Sequence, residues 1–104
     1  MVVTMQIQGH SARIAVSGRF DFQAHRDFKD AYAPLLDNAA VSEIEIEMSK
    51  VNYMDSAALG MLLLLSERAH AANKQVALAN ASGTVLRVLE IANFSKIFNA
   101  KRMA

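Results

Sequence analysis

Cysteine is absent from this chain, so no disulfide framework, thiolate metal site or cysteine nucleophile can be built from it. An excess of charge of one sign is also missing. Eleven basic and ten acidic residues leave a net charge of +1, too little to draw the chain to nucleic acid or to an anionic membrane surface. No hydrophobic run is long. The longest candidate, residues 57–65, falls far short of the roughly 20 residues that cross a bilayer, which argues against membrane insertion. The opening "MVVTMQIQGHSARI" lacks the charged start and apolar core of a signal peptide, and the expected location is therefore cytoplasmic. What is present is apolar content: 53% of 104 residues, enough for one packed core and hence a single domain over 1–104.

The hydrophobic period changes along the chain without any repeat or linker. Val3, Met5 and Ile7 alternate with Thr4, Gln6 and Gln8, "GHS" offers a turn, and Ile14 and Val16 resume the alternation, which predicts an opening hairpin. From Phe22 to Asp37 the spacing becomes helical, with Ala24, Phe28, Ala31, Tyr32 and Leu35 on one face and Pro34 set to kink the helix or begin its last turn. "EIEIEM", 43–48, predicts a strand with one buried and one wet face. A second helix follows from about Ser56 to Asn73, then a strand at 75–79, then a third helix with Ser82 as its cap. Ile97 and Phe98 form a last apolar pair, with a weak terminal strand in prospect. Short connections and βαβ alternation predict an α/β fold: a mixed β-sheet with helices mainly on one face.

The second helix carries more leucine than its core face needs. At 100° per residue, Ala58, Met61, Leu62, Leu65, Ala69 and Ala72 fall within one arc of about 100°. Leu63, Leu64 and Gly60 point the other way. Either they form a docking surface, or another element covers that side, or they are ordinary surface leucines. Asp55 and Ser56 stand at the helix start, where oxygen-bearing side chains accept backbone N–H bonds, so a cap explains both residues. The same place suits a switch. A phosphate on Ser56 would add about −1.5 to −2 charges, tolerable to the helix start and hostile to an apolar partner.

Other chemistry finds little support. His10, His25 and His70 have no ligand spacing, Ser56 lies in no GxSxG elbow, and no Walker A or GxGxxG phosphate cradle is present. We therefore expect no catalytic residues, no metal site, no cofactor and no enzyme activity. Gly18 to Asp21, within "SGRFDF", reads as a turn and an aspartate cap.

Taken together, "SGRFDF", the alternating strand, "VNYMDSAALGMLLLL" and "TVLRVLEIANFSKIF" resemble the STAS domain, and in particular the stand-alone bacterial anti-sigma factor antagonists. The resemblance spans nearly the whole chain. Its sharpest part is Met54-Asp55-Ser56 followed by Leu59-Gly60, similar to the family's D-S-x-x-L-G pattern. Where the family often has serine or threonine and then glycine after the phosphosite, this chain has Ala57 and Ala58, which firm the first helical turn. The resemblance implies a STAS-type sheet and a non-enzymatic regulator. Unmodified, it would bind an anti-sigma factor that is also a serine-protein kinase; phosphorylation of Ser56 would release it, and a PP2C-type phosphatase would reverse the mark. Asp21, Met54, Asp55, Leu59, Gly60, Leu63 and Leu64 would form the partner surface. The alternatives are a constitutive STAS scaffold and a module that binds nucleotide or lipid without switching. The leucine pair would equally serve a homodimer.

Overall fold

The computed structural model describes residues 1–94 and 99–100. Ile97 and Phe98 lie outside the described residues. The chain opens with a hairpin: β1 (Val2–Gln8) and β2 (Ser11–Phe20) pair antiparallel from Val2↔Ser17 to Gln8↔Ser11. Gly9 turns the corner at φ 63°, a backbone region that glycine enters without a Cβ penalty. A short 3-10 turn, Phe22–Ala24, then leads into α1 (His25–Leu36). The remaining elements are β3 (Glu43–Met54), α2 (Ser56–Ala71), β4 (Gln75–Ala79), α3 (Gly83–Ile91) and a two-residue β5 (Asn99–Ala100). Strand order follows chain order, β1-β2-β3-β4-β5, and every pair after the hairpin is parallel. The mixed α/β architecture is the one the sequence predicted.

Pairing fixes which residues share a face. Ala12 and Ile14 lie beside Ile44 and Ile46, which lie beside Val76 and Leu78. All are buried, and the helices close over them with Phe28, Tyr32 and Leu35 from α1 and Leu62 and Leu65 from α2. Phe28 sits between two rings, 5.0 Å from Phe20 and 5.3 Å from Tyr32 between centroids, the tilted and edge-on geometries that aromatic quadrupoles favour. Removing a fully buried leucine such as Leu62 would cost about 2–5 kcal/mol.

The glutamate face is drier than its alternation suggests. Glu43, Glu45 and Glu47 are half-buried, and Ala77 and Ala79, which pair with Glu45 and Glu47, are buried. Long polar stems shield the small side chains beside them. Arg13 Nε donates to Glu45 at 2.6 Å, while Glu47 accepts from the Ser49 amide at 2.7 Å, the Ser49 hydroxyl at 2.6 Å and the Asn80 amide. Burial pushes the Glu47 carboxyl up, but hydrogen bonds from Asn80 and Ser49 outweigh it and hold the group below the usual glutamate value.

Strand β3 runs six residues past the expected end at Met48. Its pairing with β2 slips twice: Ala15↔Glu47 is followed by Ser17↔Lys50, and Gly18↔Val51 by Arg19↔Tyr53. Each slip gives β3 one extra residue. Buried positions therefore fall three apart, at Met48, Val51 and Met54, and a reading that looks for a period of two stops too soon. The bulges have a second consequence. They keep β2 and β3 together until Phe20↔Met54, so both strands deliver the next residue, Asp21 and Asp55, to the same end of the sheet.

Candidate functional site

Both aspartates close their strands in the same way. Asp55 is extended (φ −115°, ψ −178°), and its Oδ1 accepts from the Ala58 N–H at 3.0 Å, capping α2. Asp21 is extended (φ −133°, ψ −170°), and its Oδ1 accepts from the Gln23 N–H at 3.1 Å, capping the 3-10 turn. The Asp55 N–H donates to the Phe20 carbonyl at 3.4 Å, tying one junction to the other.

Because Asp55 is the cap, Ser56 is the first residue of the helix proper. Its side chain is exposed and makes no hydrogen bond with any described residue. The serine is thus free of the structural duty that its position in the sequence suggested. Asp55 is half-buried beside it, and the free N–H groups and dipole of a 16-residue helix favour negative charge at that end.

The outer side of α2 runs through Ser56, Gly60, Leu63 and Glu67, which share one face at helical spacing. Gly60 is exposed, and a Cβ added there would meet no described residue within 4 Å. A glycine inside a helix costs about 0.5–1 kcal/mol relative to alanine, and no packing among the described residues accounts for this one. Leu59 and Leu63 are half-buried and lean on the core; Leu64 is half-buried as well. The expectation that Leu63 and Leu64 are surplus to packing therefore needs correction, because the fold already covers part of each. Met54, grouped with the contact residues from the sequence, is 7% exposed and belongs to the core. It supports the junction from beneath and offers little surface of its own.

Sequence reasoning missed two exposed aromatic groups at this end. Phe22, directly after Asp21, is 74% exposed, and Tyr53, directly before Met54, is 40% exposed. The Arg19 guanidinium lies 4.0 Å over the Tyr53 ring, and its Nε is 3.4 Å from Asp21 Oδ2. A surface ion pair and an exposed cation–π contact add at most about 1 kcal/mol each, so their main effect is to orient Arg19. One signal for Phe22 was available: on a helical wheel it falls about 120° from Phe28, off the arc that the core residues occupy. Met1, Arg19, Asp21, Gln23, Ala24 and Asp27 line a shallow depression of about 310 Å³ beside this patch. Among the described residues no group of three or more histidine or acidic side chains is placed to hold a metal, and no helix is long and apolar enough to cross a membrane.

Comparison with known proteins gives this geometry a context. The family model described as "Mlab, STAS domain" matches residues 3–99. A STAS-domain containing protein of Pseudomonas aeruginosa (strain UCBPP-PA14) is 42% identical over 92 residues, covering 86% of this chain and 87% of the relative. The anti-sigma factor antagonist SpoIIAA has a similar structure in its unphosphorylated form, with TM-score 0.71 and 20% identity over 86% of this chain and 83% of that one. The phosphorylated form of SpoIIAA, from Bacillus, gives TM-score 0.75 and 18% identity over 97% and 92%. Part of the murine anion transporter Slc26a9 is also similar, at TM-score 0.79 and 15% identity, over 95% of this chain and 17% of the transporter. At such identities the structural likenesses establish the fold alone.

Proposed function

This chain belongs to the STAS-domain family, and on that premise we propose that it is a regulatory binding protein of the anti-sigma factor antagonist kind, switched at Ser56. In its unmodified state it binds an anti-sigma factor that is also a serine-protein kinase. Phosphorylation of Ser56 dissolves the complex, and a PP2C-type phosphatase restores it. The observation that carries this reading is the division of labour at the start of α2: Asp55 caps the helix, leaving the Ser56 hydroxyl exposed and without a partner among the described residues. SpoIIAA, which shares the fold, has been solved in an unphosphorylated and a phosphorylated form, and this adds support.

The mechanism is electrostatic. A partner that covers Ser56 and the open strip at Gly60 removes both from water. A phosphate there brings about −1.5 to −2 charges next to Asp55 without disturbing the helix that holds it. Burying that charge against an apolar or acidic surface costs several kcal/mol, enough to lower affinity by orders of magnitude. Titrating the cognate kinase with Ser56→Ala and Ser56→Asp by calorimetry tests the account. Ser56→Ala should bind like the unmodified protein and Ser56→Asp more weakly; equal affinities would overturn it.

The likeness to part of an anion transporter favours a second reading, a constitutive STAS subunit of a larger assembly. That subunit would hold its partner equally well before and after incubation with kinase and ATP.

A further inference from the structure

Strand β1 is one edge of the sheet: it pairs with β2 on one side and with no described strand on the other. An exposed edge is a template for another chain, and proteins that stay apart blunt theirs with charge, proline or a bulge. Strand β1, "VVTMQIQ", has none of these. It carries no ionisable side chain and no proline, and its register with β2 runs over all seven residues without a shift. The opposite edge, β5, has two residues among those described. Met5 and Ile7 pair with the buried Ile14 and Ala12 and so point to the helix-covered face, yet they are 44% and 48% exposed. The helix layer stops short of them.

We propose that β1 is a self-association surface, pairing antiparallel with β1 of a second copy about a two-fold axis at Met5. Register argues for a second copy as the occupant. With Met5 opposite Met5, Val3 faces Ile7, Thr4 faces Gln6 and Val2 faces Gln8. One side of the joint sheet then carries an unbroken apolar ladder of Val3–Ile7, Met5–Met5 and Ile7–Val3, and no charges meet on either side. This is the two-fold register that uses all seven residues. A shift that keeps the two faces aligned moves the pairing by two positions and leaves two residues of each strand unpaired. The contact is about 24 Å long and one strand wide, smaller than the roughly 800 Å² per partner of a standard interface, so the dimer forms reversibly and at elevated concentration. None of the residues assigned to the Ser56 switch takes part.

The absence of native cysteine gives a direct test. Directly opposed residues in an antiparallel pair have Cα atoms about 4.5 or 5.5 Å apart, and both separations suit a disulfide. Met5→Cys should therefore cross-link to its own copy under mild oxidation. Ile7→Cys, equally exposed, would sit about 14 Å along the strands from its counterpart and should cross-link at least about tenfold more slowly. Sedimentation of the wild-type protein over a concentration series should show a monomer–dimer equilibrium that Met5→Lys moves to monomer, with an unchanged circular dichroism spectrum. Equal cross-linking of the two cysteine variants, cross-linking of neither, a wild-type protein monomeric throughout, or a dimer that survives Met5→Lys would each overturn the proposal.

Discussion

Phe20-Asp21-Phe22 and Met54-Asp55-Ser56 are two endings made on one plan. Each has a buried apolar residue closing a strand, an extended aspartate capping the next element, and an exposed residue beside that cap. They differ in the element that the cap supports and in the identity of the exposed neighbour. Asp21 caps a turn of three residues and leaves a phenylalanine in solvent; Asp55 caps a helix of sixteen and leaves a serine. In both cases the aspartate relieves its neighbour of structural duty, so that neighbour can be chosen for something else. An exposed aromatic suits an anchor in a partner, because it brings a large apolar area with few rotamers to freeze. An exposed hydroxyl suits a reversible charge.

Charging the serine should produce the largest effect. On the proposed reading, phosphorylated Ser56 lowers affinity for the partner by about 100-fold or more, while the melting temperature stays within a few degrees because the helix start accepts the charge. Truncating the other exposed residue comes next. Phe22→Ala should cost about tenfold in partner affinity, measured by calorimetry, with no loss of stability because the side chain packs on little of the fold. Unchanged affinity would reduce the pair of junctions to one working member.

The caps themselves should separate by the length of the element each one holds. Asp55→Ala should destabilise the protein by about 0.5–2 kcal/mol, read as a fall of several degrees in thermal unfolding. Asp21→Ala should do less, since its turn has fewer N–H groups to satisfy. Gly60→Ala should act in opposite directions on two measurements. It should raise stability by about 0.5–1 kcal/mol, since no described residue occupies that space, and it should weaken partner binding if the partner approaches the bare backbone.

The smallest effect lies on the far side of the sheet and serves as a control. The Glu47 carboxyl is held below the ordinary glutamate value of about 4.3, so its hydrogen bonds to Asn80 and Ser49 contribute stability above that pH. The contribution fades as pH falls through the lowered value of the folded state. Asn80→Ala should flatten this acid limb of a stability–pH curve and leave partner binding alone.

Much of this fold could be read from period alone. Strand β4 and five of the six residues assigned to the inner face of α2 lie where the sequence placed them, because a strand of "QVALA" and a helix with leucines at regular spacing have no competing pattern. Strand β3 ran on unseen because its two extra residues are defined by the neighbouring strand and leave no local mark. The third helix shows a milder version of the same limit: Ser82 stands at its N-cap but makes no side-chain capping bond. At the site, Asp55 and Ser56 were legible as a pair, yet which of them caps is decided by backbone geometry. Phe22 was missed because it was counted into a helix that begins three residues later, after the 3-10 turn. Exposure at a junction depends on where two strands end relative to each other, and that is a property of the sheet.

The central claim is that a charge on Ser56 controls what docks at this end of the molecule. Its most direct test is to incubate the protein with the cognate kinase and ATP, map the product by mass spectrometry, and measure the affinity of that same product for the kinase against the untreated protein. The account predicts one phosphate, on Ser56, and an affinity lower by about 100-fold or more. Phosphate on other residues alone, no phosphate at all, or a Ser56-phosphorylated protein that binds as tightly as before would contradict it.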